Sequence, residues 1–234
     1  MAASRALDFM FGWIVDPIML GDYPETMKSL VASRLPKFTK EQSKLIKGSI
    51  DFLGANYYTA MYAEDDSDSY NVDQTYSTDS KVKLTSEKDG IPIGEPTSSS
   101  WLYAYPKGIE DFTMYIKTKY NNPATYITEN GVADQNLDLT LINSLNDTLR
   151  IKYHQQHLSH LLVAINAGAD VRGYYAWSFL DDFEWDAGYT IRFGLVYIDY
   201  KNVLRRYKKE SAKWFQKFLQ KKNIIGNNSS SFIL

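Results

Sequence analysis

The chain has 234 residues, a formal net charge of -2 and no cysteine. Length allows one sizeable core, and the near-neutral charge offers neither a basic stripe for nucleic acid nor a polybasic membrane signal. The missing cysteines exclude disulfide and thiolate chemistry without fixing a compartment.

Aromatic residues make up 15% of the chain, including 18 Tyr and 5 Trp, more than a core of this size requires. Flat rings stack on the C–H faces of sugars, so the composition suits a carbohydrate pocket and an uncharged small-molecule partner. No run of 18 apolar residues reads as a membrane span, and the first ten residues carry an Asp and a helical period instead of a signal-peptide pattern.

From Ala3 to Val15 the apolar positions Ala6, Phe9, Met10, Trp13 and Ile14 recur at helical spacing, and Asp16-Pro17 is expected to end that helix. A short helix is expected through Met27 and Leu30. Thr39 with Gln42 matches a capping box that opens a helix from Lys40 to about Lys47, with Gly48 as its C-terminal cap. Ile50 to Tyr57 is an apolar run containing Gly54, expected as a buried parallel strand. Residues 63 to 100 are rich in Ser, Thr, Lys and Gly without a sustained period and read as one long loop, followed by Trp101. A Trp beside a loop is an aromatic wall for ligand or a packing anchor.

Pro106 to Lys119 reads as a helix, and Asn121-Asn-Pro123 breaks it before a β-leaning run, Thr125 to Thr128. That run stops at Glu129 with the turn signal Asn130-Gly131, which presents a carboxylate at a strand tip. A solvated Glu in an ordinary turn is the plain alternative. A second helix is expected from Ser144 to Gly168. Its His154, His157 and His160 raise a metal hypothesis through three-residue spacing, but drift over six residues and the lack of a nearby Asp, Glu or Cys favour a structural role and no metal. Asp170 to Tyr175 reads as a strand carried on by Ala176-Trp177-Ser178, and Asp181, Asp182 and Glu184 as a solvated acidic turn or a cation site. A last helix is expected from Ser211 to about Lys221, with Asn223 onward as a tail. No repeat, P-loop, dinucleotide fingerprint or Ser or Cys triad signature occurs, and no cofactor is implied.

Three stretches carry a family likeness: Asp51 to Tyr58, Ile127-Thr-Glu-Asn-Gly131, and Tyr174-Tyr-Ala-Trp-Ser178 with Phe183-Glu-Trp185. Together they resemble family 1 glycoside hydrolases, specifically plant β-glucosidases, in register from about Ala3 to Lys222. The resemblance implies an α/β fold: a partial (β/α)8 TIM barrel holding the C-terminal strands six to eight, over residues 1–222, with 223–234 as a tail. It further implies Glu129 as nucleophile of a retaining mechanism, Tyr58 as the group that positions it, and Asn56, Trp177, Glu184, Trp185 and Phe193 around the glycone, with Trp101 on the aglycone cleft.

The family's acid/base motif, Thr-x-Asn-Glu-Pro, does not occur in these 234 residues. The resemblance therefore implies a truncated β-glucosidase, inactive alone. Two alternatives stay open: a non-catalytic carbohydrate-binding module, and a half that needs an N-terminal partner chain to rebuild the barrel. The compartment is not set by the sequence; Asn146-Asp-Thr148, Asn227-Asn-Ser229 and Asn228-Ser-Ser230 match the N-glycosylation pattern and keep a secretory or vacuolar parent open.

Overall fold

The computed structural model describes residues 1–70, 72–135 and 140–220. They form two compact units, Met1–Leu53 with Met61–Ile93, and Gly54–Ala60 with the chain from Gly94 onward. The expected tail, and with it Asn227 and Asn228, lies outside the described residues. No helix among the described residues is long and apolar enough to cross a membrane.

The first unit opens with α1 (Ala2–Leu7), a π-helical stretch Asp8–Gly12 and α2 (Trp13–Leu20). The expected stop at Pro17 does not occur. Pro17 lies inside α2, and the helix ends at Gly21, where φ is 94° and the N–H returns to the Pro17 carbonyl at 2.9 Å. The π turn just upstream already interrupts the regular ladder. It also inserts an extra residue, which shifts the buried side to Phe9, Gly12 and Val15–Pro17 and leaves Met10 and Ile14 of the expected face exposed.

Next come α3 (Glu25–Val31) and α4 (Lys40–Ile46). The capping box of α4 is complete: Thr39 Oγ1 accepts from Gln42 N–H at 3.2 Å, and Gln42 Oε1 accepts from Thr39 N–H at 2.9 Å. Gly48 turns left-handed just past this helix, φ 71°, and donates its N–H to the Ile18 carbonyl at 2.7 Å.

β1 (Leu53–Asn56) leads out of this unit. The chain then returns through β2 (Tyr62–Asp65) and β3 (Val82–Thr85), an antiparallel pair, and the hairpin β4 (Glu87–Lys88) and β5 (Ile91–Pro92). The stretch expected as one long loop thus holds paired strands. Ladders of two to four residues with mostly exposed sides contain too few residues to show a period.

The second unit adds β6 (Glu95–Pro96), β7 (Tyr103–Ala104), α5 (Lys107–Lys119), β8 (Thr125–Asn130) and β9 (Asp134–Gln135). After them come α6 (Leu141–Leu145), α7 (Thr148–Asn166), β10 (Val171–Ala176), β11 (Ile191–Arg192), β12 (Val196–Asp199), β13 (Arg205–Lys208) and α8 (Glu210–Gln220). The helix expected from Ser144 is broken at Asn146 and Asp147, where the Asp147 carboxylate is drawn to a tertiary partner, the Ser211 N–H at 2.8 Å, as well as to the Arg150 guanidinium one turn on.

A three-stranded sheet, order β1-β8-β10, carries the site. β8 and β10 are parallel, and β8 runs two residues past the expected end because Asn130 still pairs with Ala176. α5 and α7 pack against each other, and Ile109 and Ile116 of α5 are fully buried, each worth about 1.5–3 kcal/mol of transfer free energy. β1 was expected buried on both sides, yet its residues alternate: Leu53 and Ala55 are buried, Gly54 and Asn56 exposed.

Candidate active site

Leu102, Ala104, Val132, Ala133, Tyr153 and Phe193 form a compact apolar cluster. Tyr58 and Trp177 pack against it, so the polar tips of both are held from below by close-packed rings. Phe193, only 2% exposed, meets Tyr58 edge-on with centroids 6.1 Å apart.

Glu129 sits one residue before the end of β8, and its backbone carbonyl accepts the Tyr57 N–H at 3.0 Å. The neighbouring Tyr58 hydroxyl donates to Glu129 Oε2 at 2.7 Å. Burial and the Glu129 carboxylate together push the Tyr58 hydroxyl far above its ordinary range, so it stays a donor at every working pH. Trp101 stands edge-on to the same Tyr58 ring, centroids 5.9 Å apart, with 46% of its surface exposed. Asn56 ends β1 on the exposed side and accepts the Thr128 hydroxyl at 2.6 Å.

The second carboxylate comes from the segment after β10. Trp177 follows β10 directly, and the Trp177–Ser178 peptide is cis. Trp177 Nε1 donates to Glu184 Oε1 at 3.1 Å. Glu184 is 6% exposed, and its acidity is weakened to a pKa of about 7, first by burial, then by the Asp182 carboxyl bonded to it, with Glu129 adding repulsion. The acidic turn expected here is therefore not solvated at Glu184.

Glu184 and Gly188 exchange both backbone hydrogen bonds, 2.9 and 3.0 Å, closing a small loop around the 3₁₀ turn Trp185–Ala187. Trp185 adopts φ 46° within it and projects outward, 85% exposed. A bulky residue held left-handed with an unburied indole is strain that packing does not explain, and such outliers cluster at ligand clamps.

The three histidines diverge. His154 Nδ1 meets the Tyr174 hydroxyl at 2.7 Å, His157 Nδ1 the Tyr153 carbonyl at 2.8 Å, and His160 Nδ1 the Glu110 carboxylate at 2.7 Å. Among the described residues no group of three His, Cys, Asp or Glu could hold a metal ion.

Sequence reasoning missed the buried charges behind this face. Asp181, expected in an open turn, accepts from Arg192 at 2.6 Å and Lys209 at 2.9 Å, and from the N–H groups of Gly194 and Ile198 at 3.0 and 3.2 Å. Arg150, fully buried, pairs with Asp134 and Asp147 and donates to the carbonyls of Val132 and Arg192. These contacts tie the segments after β8 and β10 to β11, β12 and the start of α8. Apart from Asp147 and Arg150, three residues apart, the partners are separated by 11 to 42 residues, so no local signal marks them.

Glycosyl hydrolase family 1 matches residues 1–224. Beta-glucosidase 17 of Arabidopsis thaliana is 53% identical over 232 residues, covering 99% of this chain and 44% of its own length. Beta-glucosidase 12 of Oryza sativa subsp. indica is 54% identical over 221 residues, 94% of this chain and 43% of its own. A rice β-glucosidase mutant in a covalent complex with Glc superposes with a TM-score of 0.88 at 43% identity, over 92% of this chain and 46% of that one. A β-glucosidase from the fungus Humicola insolens in complex with glucose gives 0.87 at 37% identity, over 94% and 46%. The chain thus spans less than half the length of the relatives it matches.

Proposed function

Because the chain belongs to glycosyl hydrolase family 1, a family of (β/α)8-barrel glycosidases, we propose that it supplies the nucleophile side of a retaining β-glucosidase. In this reading β1, β8 and β10 stand for barrel strands six, seven and eight, and residues 1–222 form the C-terminal part of one barrel. Glu129 attacks the anomeric carbon of a β-linked glucoside as the ionised carboxylate, the bond to the leaving oxygen breaks, and a covalent glycosyl-enzyme forms that water later opens. Tyr58 holds the attacking carboxylate by the 2.7 Å hydrogen bond, the observation that carries the proposal.

Glu184 grips the sugar hydroxyls, Asn56 lines the glycone pocket, Trp177 forms its floor, Trp185 stacks on the glycone with Phe193 as a further wall, and Trp101 lines the aglycone side. A Glu184 that keeps its proton up to about pH 7 offers a neutral O–H to a sugar hydroxyl where a second carboxylate would repel Glu129. The acid/base that protonates the leaving group comes from outside these residues, in a retaining site about 5 Å from the nucleophile. The active unit is then this chain with an N-terminal half. Leaving-group protonation contributes typically 10²–10⁴-fold, so the chain alone is inactive on unactivated glucosides.

Hydrolysis of a chromogenic β-glucoside by the purified chain, alone and mixed with the N-terminal half of a family member, tests this. Turnover in the mixture alone, abolished by Glu129→Gln, is the expected result. Turnover by the lone chain would place the acid within it. Sugar binding by a well-folded chain with no turnover in the mixture would favour a carbohydrate-binding module.

A further inference from the structure

Asn130, directly after Glu129, is fully buried, and its side chain ties together all three strands of the sheet. Its Nδ2 lies 2.7 Å from the Tyr57 carbonyl, following β1, and 3.1 Å from the Tyr153 hydroxyl; its Oδ1 lies 2.5 Å from the Tyr174 hydroxyl on β10. A peptide carbonyl only accepts, so the amide cannot be turned over without setting two acceptors against each other at 2.7 Å.

That requirement fixes the direction of every bond around it. Asn130 Oδ1 accepts, so Tyr174 donates to it and in turn accepts from His154 Nδ1, 2.7 Å away. His154 is accordingly the Nδ1–H tautomer, with Nε2 buried and unpartnered. On the other side Tyr153 accepts from Asn130 Nδ2 and donates to the Tyr58 carbonyl at 2.7 Å. The directed run starting at His154 therefore ends on two consecutive carbonyls, those of Tyr57 and Tyr58. The main chain completes the lattice: Trp177 N–H donates to the Asn130 carbonyl at 2.9 Å, and Tyr57 N–H to the Glu129 carbonyl at 3.0 Å.

We propose that Asn130 is a positioning residue, whose amide, oriented by the His154–Tyr174 pair, fixes the backbone of Tyr58 against that of Glu129 and so sets the hydrogen bond between phenol and carboxylate. The inference rests on Glu129 as nucleophile and adds the group that aims it. Asn130 touches no reacting atom. It acts because two donors and one acceptor at these positions are supplied by an amide alone; Asp lacks the donors, and Ser lacks the reach. Misplacing a reacting group by about 1 Å can cost about 10²-fold in rate, so the lattice acts on attack and not on sugar affinity.

Labelling of the 234-residue chain with 2,4-dinitrophenyl 2-deoxy-2-fluoro-β-glucoside tests this without a catalytic acid. Glu129 forms its bond to the anomeric carbon, the bond to the aryl oxygen breaks, and dinitrophenolate leaves unprotonated with the electron pair. Dinitrophenolate release gives the rate, and peptide mass spectrometry locates the adduct. Asn130→Asp is expected to lower the maximal labelling rate about 10- to 100-fold with the half-saturating concentration little changed. Combined with Tyr58→Phe it should add little further loss, because both act on one hydrogen bond. The ¹⁵N shifts of His154 in the parent chain should report Nδ1–H.

Parent-rate labelling of Asn130→Asp, effects that multiply in the double variant, or His154 found as Nε2–H would each overturn the proposal. If Asn130→Asp does not fold, Tyr174→Phe removes one donor, and parent-rate labelling there overturns it equally. A parent chain that acquires no label on Glu129 either alone or mixed with the N-terminal half of a family member overturns the nucleophile reading itself. That outcome is distinct from a parent that labels while Asn130→Asp labels as fast.

Discussion

The Tyr58 hydroxyl donates to Glu129 Oε2 at 2.7 Å, joining residues 71 positions apart at the ends of neighbouring strands. A hydrogen bond to a charged group is worth about 1.5–3 kcal/mol, or roughly 10- to 100-fold in rate when it orients the attacking oxygen. Tyr58→Phe is expected to slow fluoroglucosyl labelling of Glu129 by that factor while the melting temperature moves little. A rate within twofold of the parent would show that packing of the ring, and not the phenol, positions the carboxylate.

Stability should carry the imprint of Glu184. Its folded pKa of about 7 lies above the ordinary 4.5, so between those values the folded chain keeps a proton that the unfolded chain has released. Stability therefore falls as pH rises across that window. Glu184→Gln, which cannot titrate, should remove this part of the slope. Urea unfolding at pH 4.5 and 7 for parent and variant measures the difference, and equal slopes would contradict it.

The buried histidines act in the opposite sense. Burial lowers His154 to about 3 and His157 to about 4, from an ordinary 6.5. Below pH 6.5 the unfolded chain takes up protons that the folded chain refuses, so stability drops as pH falls toward 4, by about 1.4 kcal/mol per pH unit for each histidine. His157→Gln should reduce the slope by close to one proton in denaturant titrations between pH 4.5 and 6. An unchanged slope would mean that His157 is protonated in the fold.

Gly131 makes a sharp steric prediction. A Cβ there would lie 1.8 Å from the Trp177 carbonyl oxygen, so the segment after β8 and the end of β10 approach too closely for any side chain. Gly131→Ala should cost about 1–3 kcal/mol in unfolding free energy and slow labelling of Glu129, because the backbone must part beside the site. A fully stable variant would refute the closeness of this approach.

Asp181 anchors Arg192 and Lys209 in the interior. Asp181→Asn leaves both cations without their carboxylate and should destabilise by about 3–5 kcal/mol, as for any broken buried pair. Thermal melting compares it with the exposed control Asp111→Asn, for which little change is expected.

What short-range chemistry writes is legible along the chain. Thr39 and Gln42 cap α4 because their groups lie three residues apart, and Lys107–Lys119 is a helix because its apolar residues share a face. The runs Asp51 to Tyr58, Ile127 to Gly131 and Tyr174 to Trp185 announced the family together, and with it the kind of chemistry, where the carboxylate before Asn-Gly alone reads equally as an ordinary turn. Which polar groups are partners emerges once the chain is folded. Asp181 reads as a solvated acid until Arg192 and Lys209 meet it, and Gly131 reads as a turn until the Trp177 carbonyl is seen against it. Asn130 reads as half of an Asn-Gly turn, but its amide is bonded to groups between 23 and 73 residues away. The physical reason is that a hydrogen bond needs about 3 Å of approach and leaves no mark on neighbouring residues, whereas caps and helical faces are built from them.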